Sequence, residues 1–371
     1  MKTYIFPGQG SHYVGMGKKL FKQFPHMVEQ ANEVLGYSIR DLCLNDSCKQ
    51  LNQTQFTQPA LYTVSVLAYL QHQQDNPTPA DFFAGHSLGE YCALFAGGAF
   101  SFEAGLKLVK KRGELMSQAA SGAMAAVLNV EEVTLRSNLH ENQLTSVDIA
   151  NLNAPDQIVI SGPTADIQRC QPMIEQLGGR FIKLNTSGAF HSRYMAPAQQ
   201  EFARYIQAFN FSALHTPVIA NVTAQPMASH DIAKLLIAQI TQPVKWTQSI
   251  EFLLTQGEMT FTELGPKKVL TKLIQSIQTN VALVTQHKSV TPVSATDKTL
   301  TPQQQVTHWN RIYPIGTEVK INGKSDLYTT RTNASLLFGH RPAIYLHGFH
   351  GYFHLHELSA MPQTAHAAKS A

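Results

Sequence analysis

The chain has 371 residues, 43% of them hydrophobic and only 15% charged, so it can bury a sizeable core and reads as one large globular domain with smaller attachments. Its formal charge of +4 comes from scattered lysines and arginines rather than a block, so nucleic acid is not an expected partner. No stretch approaches the ~20 apolar residues of a membrane span, and the opening residues lack the apolar run of a secretory signal, so no membrane association is expected. Cys43, Cys48, Cys92 and Cys170 show neither metal-site spacing nor a disulfide framework, which suits free thiols in the cytoplasm.

Residues 3–6 form a short apolar run cut off by Pro7-Gly8-Gln9-Gly10, the pattern of a buried strand entering a tight loop. Apolar residues at three- and four-residue intervals predict helices over 15–36 and 57–73, and 81–84 reads as a second strand. This alternation points to an α/β sheet with helices on its faces. From Gly122 the texture changes, with strands expected over 123–129, 147–152, 157–161 and 180–185 and helices over 131–140 and 165–177. The order βαββαβ is the split-βαβ pattern of a ferredoxin-like unit, which places an insert at 123–188 within a larger domain of 1–122 and 189–284.

The stretch 285–307 is rich in Thr, Gln, Ser and Pro and reads as a linker. Beyond it, Asn322-Gly323 between 317–321 and 327–330 is a two-residue hairpin signal, and 343–346 and 352–358 look like further strands. A small β module over 308–358 and a disordered tail over 359–371 are expected.

Gly85-His86-Ser87-Leu88-Gly89 fits the nucleophile-elbow pattern and stands after a strand and before a helix beginning near Leu88. As a bare pattern it also fits a structural turn, and its placement is what favours a nucleophile. A serine at its free pKa attacks poorly, so a base must lie within hydrogen-bond reach. Among sixteen histidines, His191 in Gly188-Ala189-Phe190-His191-Ser192 is the best placed, because the chain returns there from the insert to the main domain. On residues alone, a surface or satisfied core histidine stays open as the alternative.

Five motifs together resemble the malonyl-CoA:acyl carrier protein transacylases. They are Phe6-Pro7-Gly8-Gln9-Gly10-Ser11, Gly85-His86-Ser87-Leu88-Gly89-Glu90-Tyr91, Arg112 in Lys110-Lys111-Arg112-Gly113, Ala189-Phe190-His191-Ser192 and Glu263-Leu264-Gly265-Pro266. They fall in the family's order over about residues 1–284. The resemblance implies a hydrolase-like α/β domain with an inserted ferredoxin-like subdomain, in agreement with the pattern above. It also implies that Ser87 is the acylated nucleophile and His191 its base, the histidine being oriented by a backbone carbonyl, that of Gln256 in Thr255-Gln256-Gly257. Gln9 and Leu88 would supply an oxyanion hole through backbone N–H groups, and Arg112 would hold the free carboxylate of malonyl.

Arg112 has its own physical case, since a guanidinium grips a carboxylate with two parallel hydrogen bonds. Without the family, a surface helix arginine beside Lys110 and Lys111 is the favoured reading, and the family context reverses it. Phe190 resembles the bulky residue of malonyl-selective members, where a ring crowds an α-methyl branch. Asn151 and Asn153 resemble a segment lining the cleft between the two units, and Asn153 is taken as substrate-binding, with turn formation as the alternative. The sequence departs from the family at His12 and Gln242, where glutamine and asparagine are usual.

The implied reaction uses malonyl-CoA as substrate and the phosphopantetheine arm of an acyl carrier protein as acceptor, with no cofactor expected. No metal is expected either: His347, His350, His354 and His356 crowd the C-terminal module without cysteine or paired acids. The segment 337–353 resembles tails of acyltransferases that serve polyketide synthase modules from outside the megaenzyme, which implies docking to such modules. An editing acyl hydrolase on the same fold and a non-catalytic carrier-protein-binding scaffold are the rival readings.

Overall fold

The computed structural model describes residues 1–119, 122–186, 188–289, 300–324, 326–337, 341–349 and 351–360. The chain divides into two compact units, Met1–Asn280 and Val281–Ala371. In chain order the strands of the first unit are β1 (Lys2–Phe6), β2 (Phe82–Gly85), β3 (Ala123–Leu128), β4 (Asp148–Ala154), β5 (Gln157–Gly162), β6 (Arg180–Lys183), β7 (Val218–Ile219) and β8 (Thr260–Glu263).

Four of these strands form a parallel sheet in the order β7-β2-β1-β8. Strand β1 is apolar and buried from Thr3 to Phe6, as a central parallel strand covered on both faces must be. The helices Thr54–Asp75 and Gly89–Ala96 pack on this sheet, and Phe102–Gln118 packs on Thr54–Asp75, with Tyr62 stacked on Phe102 at 5.8 Å between ring centres. The predicted helix over 15–36 is instead two, Leu20–Gln23 and Pro25–Leu35, because Pro25 can open a helix but cannot continue one.

The insert forms its own antiparallel sheet, ordered β4-β5-β3-β6, with the helices Glu132–Glu141 and Thr164–Gln176. Val127, Leu135, Ile149, Ile160, Ile167 and Ile174 make a core separate from that of the parallel sheet. Every predicted element of this unit is present, with ends shifted by a residue or two.

In the second unit the strands are β9 (Glu318–Ile321), β10 (Leu327–Thr329), β11 (Ser335–Leu337), β12 (Arg341–Tyr345), β13 (Tyr352–His354) and β14 (Leu358–Ala360). They form two three-stranded sheets, β10-β9-β14 and β11-β12-β13. Three expectations are corrected here. The predicted linker over 285–307 overlaps the end of the helix Val269–Ser289 and much of the helix Pro302–Ile312. In the latter, Thr301 and Gln304 form a capping box, Pro302 takes the first turn, and Val306 and Trp309 are buried; a capping signal was hidden in a composition typical of linkers. Residues 290–299 lie outside the described residues.

Asn322-Gly323 does turn the chain, with the N–H of Lys324 bonded to Ile321 O, but β9 and β10 resume pairing only at Lys320 and Leu327. Asn322 is committed elsewhere: its N–H donates to Glu357 O and its side chain to His356 O, fastening β9 to the chain before β14. The expected tail begins later than 359, since Leu358–Ala360 pairs with β9, and residues 361–371 lie outside the described residues. Among the described residues no helix is long and apolar enough to cross a membrane, and no three His, Cys, Asp or Glu side chains group as metal ligands. His350, like 338–340, lies outside the described residues.

Candidate active site

Strand β2 ends at Gly85, and the chain turns into the helix Gly89–Ala96 within three residues. The turn puts Ser87 at φ +53°, a left-handed conformation that costs a non-glycine residue of order 1–3 kcal/mol unless its surroundings enforce it. Those surroundings are specific: Ser87 N–H donates to Asn221 Oδ1 at 2.7 Å, and Ser87 O accepts from Gln239 Nε2 at 2.9 Å. The flanking glycines are required by close approach. A Cβ on Gly85 would lie 2.0 Å from the Gly89 backbone, and one on Gly89 would lie 2.0 Å from Phe6 O at the end of β1.

The hydroxyl of Ser87 lies 2.7 Å from His191 Nε2. On the far side of the ring, Nδ1 donates to the backbone carbonyl of Gln239 at 2.8 Å, which fixes the tautomer and leaves Nε2 with its lone pair toward the serine. The expected acceptor, Gln256, is corrected by this geometry. It is exposed at the end of the helix Trp246–Thr255, and its side chain bonds to Thr255 and to Phe252 O. Burial, reinforced by the nearby Arg112 charge, pushes the His191 pKa down to about 3 against the pull of the Gln239 carbonyl.

Arg112 reaches the same point from the helix Phe102–Gln118 and is 1% exposed. Its Nη2 donates to Ser87 Oγ at 3.1 Å and to Gln239 Oε1 at 2.8 Å, and its Nη1 donates to Gln58 Oε1 at 2.7 Å. Since Arg112 donates to the serine oxygen, the serine proton is left for His191. Among the described residues no carboxylate lies within ion-pairing distance of Arg112, and its Nε has no partner.

These groups open on a cavity of about 340 Å³. Gln9, Leu88, Ser87, His191 and Arg112 line one side, and Met116, Met124, Leu184 and Phe190 form an apolar wall. Among the described residues neither the N–H of Gln9 nor that of Leu88 donates to a protein acceptor, so both are available to a ligand oxygen. Asn151 lines the cavity, but Asn153, expected to bind substrate, does not; it sits behind the site and accepts from His86 Nε2 at 2.8 Å. Sequence reasoning gave no role to Gln58, Asn221, Gln239 or Glu90. Glu90 belongs to the motif around Ser87, and Gln239 is one of two polar residues in the otherwise apolar run of 232–240, a weak signal; Gln58 and Asn221 carry none.

A hydroxyl whose proton is directed at a neutral imidazole, beside unused amide donors, takes up acyl groups as esters. The class this geometry suits is an enzyme of acyl transfer built on a parallel α/β sheet. The chain belongs to the acyl transferase domain family, which matches residues 3–311. It is 52% identical over 280 residues to the polyketide biosynthesis malonyl CoA-acyl carrier protein transacylase BaeC of Bacillus velezensis, covering 75% of this chain and 97% of that protein. To the malonyl CoA-acyl carrier protein transacylase of Bacillus subtilis it is 39% identical over 285 residues, covering 74% and 90%. The crystal structure of the malonyl CoA-acyl carrier protein transacylase from Burkholderia pseudomallei superposes with a TM-score of 0.74 at 48% identity, over 75% of this chain and 98% of that one.

Two outcomes follow from this geometry. Gly89→Ala forces backbone against backbone, which no rotamer change relieves, so a loss of more than ~2 kcal/mol is expected in urea unfolding; an unchanged midpoint would contradict the packing. His191 stays neutral in the folded protein down to about pH 3 but protonates near 6.5 when unfolded. Its contribution to stability is therefore complete above pH 6.5 and lost as pH falls toward 3. Acylation of Ser87 by p-nitrophenyl acetate should show no acid limb near 6.5 between pH 5 and 8, and a limb there would refute the neutral base.

Proposed function

We propose that the protein transfers malonyl from malonyl-CoA to the phosphopantetheine thiol of an acyl carrier protein, through a malonyl ester on Ser87. The observation that carries this reading is the state of Arg112. A guanidinium held by two neutral carbonyl oxygens, without a counter-ion and 3.1 Å from the nucleophile, is suited to an acyl group that brings its own carboxylate. An editor of neutral acyl chains has no use for such a cation.

In the first half-reaction Ser87 Oγ attacks the thioester carbonyl as His191 Nε2 takes its proton, and the oxyanion rests on the N–H groups of Gln9 and Leu88. The tetrahedral adduct collapses, the C–S bond breaks, and His191 returns the proton to the departing coenzyme A thiol. In the second half the carrier's pantetheine thiol gives its proton to His191, attacks the ester and takes the malonyl group, so the kinetics are ping-pong. Only an acyl group and a proton move, so the chemistry calls for no metal or redox cofactor. Phe190, on the apolar wall, is placed to crowd an α-methyl branch and so to disfavour methylmalonyl.

The greater identity to the polyketide-associated relative, 52% against 39%, supports a carrier protein of polyketide synthesis, on a synthase module or free. A cytoplasmic setting suits the four cysteines, all free thiols.

Intact-mass measurement after incubation with malonyl-CoA tests the assignment. Wild type is expected to gain one malonyl group and lose it on addition of holo carrier protein, while Ser87→Ala gains none. Release to water without a carrier would indicate a hydrolase, and no adduct a scaffold. Arg112→Ala should lower kcat/KM for malonyl-CoA by about a hundredfold, the scale of losing one partner of a buried charge pair, and lower it less for acetyl-CoA, which loses only the effect of Arg112 on Ser87 and His191.

A further inference from the structure

Glu90 lies three residues beyond the nucleophile and is 1% exposed, yet the transfer steps make no use of it. A carboxylate carried into a protein core is costly unless polar groups surround it. Its partners are both N–H donors: Asn221 N–H reaches Oε1 at 2.7 Å, and Gln239 Nε2 reaches Oε2. Burial pushes this carboxyl up to about 8 despite the pull of the two donors and of the Arg112 charge. Both carboxyl oxygens are thus used as acceptors, a role that an amide at this position could fill on one side only.

The consequence falls on Gln239. A side-chain amide can present either end, and here Nε2 faces Glu90 and the Ser87 carbonyl, which leaves Oε1 toward Arg112 Nη2 at 2.8 Å. Turned over, the amide would set its NH₂ against the guanidinium and its oxygen against a carboxylate and a carbonyl. Glu90 therefore selects the orientation together with the Ser87 carbonyl and Arg112. In that orientation Arg112 is gripped by the carbonyl dipoles of Gln58 and Gln239, and the Glu90 carboxyl stays one amide away from it.

We propose that Glu90 is a positioning residue for acyl selection: by fixing the Gln239 amide it holds Arg112 rigid beside Ser87 without neutralising it, leaving the guanidinium open to the carboxylate of the incoming acyl group. The proposal rests on the malonyl reading of the site. A merely structural Glu90 would affect stability and leave the choice between acyl groups alone.

The test is the ratio of kcat/KM for malonyl-CoA to that for acetyl-CoA in wild type and in Glu90→Gln. The variant keeps the size of the side chain but must turn an NH₂ toward either Asn221 N–H or Gln239 NH₂. Its ratio is expected to fall about tenfold, through a higher KM for malonyl-CoA, with acetyl-CoA little affected. A folded Glu90→Gln enzyme with the wild-type ratio overturns the proposal, whatever its melting temperature. Should that variant fail to fold, Glu90→Asp decides, since it keeps the carboxyl but withdraws it by one methylene: a lowered ratio supports the proposal and an unchanged ratio overturns it. A wild type without preference for malonyl-CoA would refute the functional reading and this inference together, whereas a selective wild type with insensitive variants refutes this inference alone.

Discussion

Arg112 is buried to 1% exposure with carbonyl oxygens as its partners, and the rest of the site is arranged around that burial. Stranding a charge in a protein interior costs roughly 3–5 kcal/mol, so the fold must offset it. It does so with the oriented dipoles of Gln58 and Gln239 and with the face of Tyr91 at 5.6 Å. The same charge acts on both neighbours in the site. It adds to burial in keeping His191 neutral, and it donates to the serine oxygen so that the hydroxyl proton has a single direction to go.

A second constraint lies in the backbone. Ser87 at φ +53° and His191 at φ +54° both occupy the left-handed region, and neither is glycine. Two strained residues facing each other at 2.7 Å are held only because their neighbours are over-determined. Asn221 takes the Ser87 N–H and also donates to Gly85 O at 2.6 Å, bracing both sides of the turn with one side chain. Gln239 takes the Ser87 carbonyl with its amide and the His191 ring with its backbone oxygen. Nucleophile, base and cation are thus referred to one glutamine.

That arrangement explains which parts of the site could be read from the sequence. Ser87 sits in a motif dictated by local sterics, glycines where a Cβ would strike backbone, and such rules act over five residues. Arg112 and His191 were found by motif order, which a family resemblance carries but chain-local physics does not. Gln239 could not be singled out, because its importance arises from four partners distant in sequence; Gln256 was named in its place on a tripeptide. The same limit applies to Asn153, since an alternating strand fixes which asparagines share a face but not which of them reaches the cavity. In the second unit, composition hid the helix Pro302–Ile312, whose capping box acts locally but needs Val306 and Trp309 to find a core before it counts. The insert was fully legible because its strand and helix periods are each satisfied within their own segment.

The insert also has a part in the site that its separate core conceals. Two residues after His191, Arg193 is clamped to Asp148 of β4 by its backbone N–H at 2.9 Å and its guanidinium at 3.0 Å. Five residues after Gln239, Val244 pairs with β4 in both directions, donating to Ala150 O and accepting from Leu152 N–H, each at 2.9 Å. The base and the carbonyl that orients it therefore lie on two segments of the larger domain that are both stitched to one strand of the insert. Neither segment is fixed by the parallel sheet alone. The distance between the His191 ring and the Gln239 oxygen is braced across β4 as well as by Gln199, which donates to Ile237 O at 3.1 Å and to Thr241 Oγ1 at 2.8 Å, so the inserted unit helps hold the geometry of His191.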